Sequence, residues 1–229
     1  MIKLAPILMA VLYGLVMYRF SVWRTSRDMD AQSTELADPM LRTLMDRMAT
    51  ALDIERIKVY IYEIEPVNGL ASPDGRIFIT RGFFNKYRSG QVTADEMASV
   101  IAHELGHVAL GHSRRRMIDF SSQNAMRTAL AMMFNRFIPF IGPLIANFMM
   151  SILAARLSRS DEFEADAYAS ALLMKAGIGT EPQKSLFRKL EHLTGARGAT
   201  VPAWIMSHPK TDRRIAAIES NEAKWTDRH

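Results

Sequence analysis

Cysteine is absent from the 229-residue chain. That excludes disulfides, thiolate metal sites, a cysteine nucleophile and a lipidated amino-terminal cysteine. It leaves the compartment open, since a cysteine-free chain suits either side of a bacterial membrane. Blocks of like charge are also missing, apart from Arg114-Arg115-Arg116, and the net charge of +5 is spread along the chain. No motif that reads DNA or RNA is present, so nucleic acid is not expected as a partner. The arginine run reads as a solvated face or a contact with anionic lipid heads. There is no internal repeat, no low-complexity segment and no second globular domain. Apolar residues are plentiful: they make up 48% of the chain, 16 of them methionine. That is ample for one core, and methionine suits adaptable packing or a lipid-facing surface.

Leu4 to Tyr18 is almost continuously apolar, with Lys3 before it and Arg19, Arg24 and Arg27 after it. Counted through Phe20, Val22 and Trp23, the segment is long enough to cross a bilayer, with the late aromatics at the interface. Tyr18-Arg19-Phe20 is a poor signal-peptidase site, so an uncleaved single-pass anchor over residues 1–27 is expected. The folded part then occupies residues 28–229. Positive charges after the anchor slightly outnumber those before it, which favours a cytoplasmic body.

Thr34 to Leu52 predicts an amphipathic helix with Leu36, Met40, Leu44, Met48 and Leu52 on one face and Pro39 at or near its start. Lys58 to Ile64 alternates as a strand, Asn68 to Gly75 reads as a turn, and Arg76 to Thr80 as a second strand. Together they predict an antiparallel hairpin. Its edge, Asn68, Gly69, Leu70 and Ala71, is the candidate surface for an extended peptide added to the sheet. Phe137 to Ala155 is long enough to be called transmembrane, but Pro139, Gly142 and Pro143 interrupt it. A single crossing there would also separate residues that share one site, as argued next. It is expected to be a hairpin-like helix on the catalytic side of the membrane. Further helices are expected over Ser160–Met174, Glu181–Leu193 and Thr211–Ala223. The fold class is α+β, mostly helical.

The motif with chemistry is His103-Glu104-Leu105-Gly106-His107, in a helix opened by the capping box Thr93-Ala94-Asp95-Glu96. Residues four apart share a helix face, so His103 and His107 can grip one metal ion, and Glu104 can act as general base on the water it activates. Two core histidines and a surface carboxylate is the plainer reading. A catalytic zinc usually takes three protein ligands. Ser113 stands where a third histidine of the extended motif would be, and His112 is one residue off. The acidic run Asp161 to Asp166 offers Glu162 and Asp166 on one helical face. Glu162 is then the third ligand, and Asp166 accepts the ring N–H of a ligating histidine. Asp161 and Glu164 read as ordinary solvated acids at a helix start.

His103-Glu-Leu-Gly-His107, Ser158-Arg-Ser-Asp-Glu162-Phe-Glu-Ala-Asp166 and Ser207-His208-Pro209 with Arg214-Ile215 come in an order that resembles the M48 family of zinc metallopeptidases, which includes HtpX-like, Ste24-like and Oma1-like members. The likeness covers roughly residues 35–220. It implies a zincin fold of the gluzincin type, endopeptidase activity, and one zinc ion held by His103, His107 and Glu162 with Glu104 as base. It also implies that His208 and Arg214 line the cleft, with Arg214, like Asp166, supporting the ligands from behind and His208 a candidate donor to the oxyanion. The chain lacks room for the extra spans of HtpX-like members, so a compact, membrane-anchored layout is expected. Polypeptide substrates, unfolded or membrane-borne, and a role in protein quality control at a bacterial inner membrane follow from the anchor and the resemblance together. The rivals are a non-catalytic zinc module and a zinc hydrolase acting on something other than peptides.

Overall fold

The computed structural model describes residues 26–72, 74–112, 142–193 and 211–226, with isolated positions at 12, 16, 19, 20, 23, 24 and 115. The predicted anchor therefore lies mostly outside the described residues. Among those residues no helix is long and apolar enough to cross a membrane. The order is β1 (Ser33–Glu35), α1 (Pro39–Leu52), β2 (Val59–Tyr62), β3 (Gly69–Ala71), β4 (Ile77–Thr80), α2 (Arg81–Arg88), α3 (Ala94–Ala109), α4 (Gly142–Lys175), α5 (Glu181–Leu193) and α6 (Thr211–Thr226).

Helix α1 starts where local chemistry dictates. Asp38 accepts from the backbone N–H groups of Met40 and Leu41, and Pro39 takes the first turn, where a missing N–H costs nothing. The helix is shorter than the predicted Thr34–Leu52 because Ser33–Glu35 pairs antiparallel with β2 instead. Its buried face, with Leu41, Leu44 and Met48, packs into the core beside α3.

The sheet is mixed, in the order β1-β2-β4-β3. Here the predicted antiparallel hairpin is wrong. The two strands it joined, β2 and β4, run parallel, with Val59 opposite Ile77, and β4 pairs antiparallel with β3. The Asn68-Gly69 dipeptide, read as a turn, leads into the outer strand instead. The physical reason is a close crossing that no local pattern reveals. On leaving β2 the chain passes the end of β4, where Gly82 donates its N–H to Ile64 O at 3.1 Å. A Cβ on Gly82 would lie 1.7 Å from Glu65 O, so only glycine admits the crossing. Central β4 is buried at every residue, as a strand covered on both faces must be.

The part of the apolar stretch that is described is also not separate from the helix expected over Ser160–Met174. One 34-residue helix, α4, runs from Gly142 to Lys175 and carries the end of the apolar stretch straight into the acidic run. Residues 137–141 lie outside the described residues.

Helix α3 is the centre of the fold. Its capping box is made as the sequence suggests: Thr93 Oγ1 accepts from Glu96 N at 3.2 Å, and Glu96 Oε2 accepts from Thr93 N at 2.9 Å. Glu96 is itself buried, and its Oε1 also meets Ser185 and Lys189 of α5, each at 2.7 Å. The helix is enclosed by α1, β3, α4 and α5, so Met97, Val100, Ile101 and even its histidines have little contact with water.

Candidate metal centre

Two close approaches build the site. Gly106, between the two histidines, faces α4, where an added Cβ would stand 2.9 Å from Ala165 O and 3.0 Å from Ala165 Cα. The missing side chain lets α4 lie against α3 and brings Glu162 up to the histidines. On the other side, a Cβ on Gly69 would meet Val100 Cγ1 at 2.9 Å and Glu104 Oε1 at 3.0 Å. The first residue of β3 therefore rests on the Glu104 carboxylate.

Nε2 of His103 and Nε2 of His107 face each other at 3.1 Å. Glu162 reaches both: its Oε2 lies 3.4 Å from His103 Nε2 and its Oε1 3.4 Å from His107 Nε2. All three residues are buried, and among the described residues they form a group able to hold a metal ion. Bonds of about 2.1 Å at tetrahedral angles set neighbouring ligand atoms roughly 3.4 Å apart, so these separations fit zinc. The donor chemistry agrees. Two ring nitrogens and a carboxylate pointed together in a buried site form a concentration of lone pairs that only a cation or a proton can satisfy.

The ring of His103 is fixed from behind. Its Nδ1 lies 2.9 Å from Asp166 Oδ1. Asp166 in turn accepts two bonds from Arg214, at 2.6 and 2.7 Å. Burial alone would lower the basicity of His103, but the Asp166 and Glu162 carboxylates outweigh it and push its pKa up to about 9. The field that holds a proton there also attracts a metal cation. Burial would raise Asp166, yet Arg214 and His103 keep it below the usual carboxylate range. Arg214 does not line an open cleft. It is 1% exposed, and its guanidinium stacks 4.3 Å from the Phe187 ring centroid, behind Asp166.

Residues 35–222 match Peptidase family M48. The chain belongs to that family, whose members are zinc endopeptidases. It is 28% identical to Metalloprotease LoiP of Escherichia coli over 182 residues, covering 78% of this chain and 68% of the relative. Metalloprotease YcaL of the same organism is 29% identical over 163 residues, 71% of this chain and 61% of YcaL. A Protease HtpX homolog from Salinibacter ruber is 27% identical over 250 residues, covering 93% of this chain and 87% of that protein.

His103, His107, Glu162, Glu104, Asp166 and Arg214 therefore stand at one place. Gly69, Leu70 and Ala71 form one of the two outer strands of the described sheet, with Asn68 just before it, buried and bonded to Thr80. His208 lies outside the described residues. Gly106 escaped the sequence reading as part of the site, and Gly69 was read only as substrate edge, not as the residue packed on Glu104. The signal for Gly106 was available: glycine inside a helix costs about 1 kcal/mol against alanine and asks for a packing reason. Asp161 and Glu164 are not simply solvated, for Asp161 is buried and Glu164 reaches His112.

Proposed function

We propose that this chain is a membrane-anchored zinc endopeptidase of protein quality control in which His103, His107 and Glu162 hold the metal and Glu104 is the general base. One observation carries the reading: the three ligand atoms converge in a water-poor pocket directly beside Glu104, under strand β3. Zinc bound there would acidify a water molecule and polarise the scissile carbonyl. Glu104 takes the proton from that water and returns it to the leaving amine. Asp166, braced by Arg214, keeps the His103 ring in the tautomer that leaves Nε2 available. An extended polypeptide lies along β3, over residues 68–71, which sets its backbone beside Glu104. His208 donates to the developing oxyanion, as the family resemblance implies.

The domain division is 1–27 as anchor and 28–229 as peptidase. Leu12, Val16, Phe20 and Trp23, all helical and all more than half exposed, support contact between the first segment and lipid. The catalytic body is assigned to the cytoplasmic side of a bacterial inner membrane, with unfolded or membrane-borne polypeptides as substrates. Replacing Glu104 with Gln is expected to abolish casein cleavage while leaving zinc bound. Cleavage at the wild-type rate by that variant rules the assignment out. A reporter fused at the carboxyl terminus tests the topology: activity only in an exported reporter contradicts a cytoplasmic body.

A further inference from the structure

His107 is gripped from behind by side chains that take no direct part in hydrolysis. Its Nδ1 lies 3.0 Å from Nδ1 of His112, which is fully buried. Nε2 of His112 lies 3.3 Å from Oε2 of Glu164, whose other oxygen accepts the Ser160 hydroxyl at 3.2 Å. Asp161 stands further off, 3.8 Å from the same nitrogen, with Arg115 another 3.7 Å beyond it. His112 is not a fourth ligand, because it meets the ring nitrogen of His107 that points away from His103 and Glu162.

Counting protons leaves one arrangement. A histidine that binds a cation through Nε2 keeps its ring proton on Nδ1. For His107 that proton points at Nδ1 of His112, which must accept it. Neutral His112 then carries its own proton on Nε2, aimed at the Glu164 carboxylate. The opposite tautomer would set two N–H groups face to face in a buried site.

We infer that His112 and Glu164 are positioning residues for the metal site, fixing the tautomer and ring orientation of His107. His103 is oriented by a carboxylate directly, through Asp166. His107 is oriented by a carboxylate through an intervening imidazole. This inference rests on the reading of His103, His107 and Glu162 as the zinc ligands.

The test measures zinc affinity of the full chain by chelator competition, with the visible spectrum of the cobalt-loaded protein as a second readout. His112→Phe keeps a buried ring but cannot accept the proton. Its zinc affinity is expected to fall about 10–100-fold, with an altered cobalt spectrum. His112→Asn places an amide oxygen where Nδ1 stood and is expected to recover most of that loss. Glu164→Ala is expected to weaken binding several-fold in the wild type and to add nothing in the His112→Phe background, because it acts through His112. An unchanged affinity in His112→Phe, or an equal loss from Glu164→Ala in both backgrounds, overturns the inference. Should His112→Phe fail to fold, wild-type affinity in Glu164→Ala overturns it alone. A wild-type chain that binds no zinc refutes the metal-site reading instead.

Discussion

Gly69 has no room for a methyl group, because Val100 and the Glu104 carboxylate occupy the space. Gly69→Ala is therefore expected to displace Glu104 without touching a ligand. A misplacement of about 1 Å can cost on the order of 100-fold in rate. The predicted outcome is a fall of that order in kcat with zinc content unchanged, read by cleavage assay and metal analysis on the same sample. Asp166 makes a different case. Its removal strands Arg214, which is buried and paired with it through two short bonds. Breaking one side of such a pair costs about 3–5 kcal/mol. Asp166→Ala should lower the denaturant midpoint accordingly, and an unchanged midpoint would show that Arg214 finds water or another partner.

Among the elements, the contact of α3 with α4 decides whether Glu162 reaches the histidines. Gly106→Ala improves helix propensity by about 1 kcal/mol but drives a Cβ against Ala165 backbone atoms. Overpacking of that kind costs about 1–3 kcal/mol, so stability and zinc affinity should fall together; a variant more stable than wild type would contradict the tight crossing. Glu96 ties α3 to α5 and gives a pH dependence. Burial would raise its pKa, but Lys189, Ser185 and the Thr93 N–H outweigh it and hold it below the ordinary value. A depressed folded pKa stabilises the fold above the unfolded glutamate value of about 4.3, and that stabilisation is lost as pH falls through the folded value. Glu96→Gln should lower stability near neutral pH, and the gap to wild type should close in acid. Denaturation across pH 3–7 reads it, and a gap that does not depend on pH refutes the role.

For the whole molecule, what was legible in the sequence was whatever is decided locally. The start of α3 follows from Thr93 and Glu96, and the pairing of Glu162 with Asp166 from helical periodicity, whereas α1 begins at Pro39 and not at the expected Thr34, because residues 33–35 pair with β2. Parallel pairing of β2 with β4 was not legible, since it depends on Glu65 meeting Gly82, 17 residues on. Nor was the continuity of α4 from the apolar stretch into the acidic run, because the change in composition between residues 155 and 160 reads as a boundary while a helix carries either kind of residue. The link of His112 to Glu164 spans 52 positions and has no sequence period at all. The proposed division into anchor and peptidase carries its own prediction: a chain lacking residues 1–27 should leave the membrane fraction, whereas retention there would place lipid contact elsewhere. The central claim is that the buried group of His103, His107 and Glu162 is a catalytic zinc site. The most direct measurement strips the purified chain with a chelator and titrates zinc back while following casein cleavage. Activity that returns in proportion to zinc and saturates at one ion per chain is the predicted result. Cleavage that survives chelation, or one bound zinc with no cleavage, contradicts the claim.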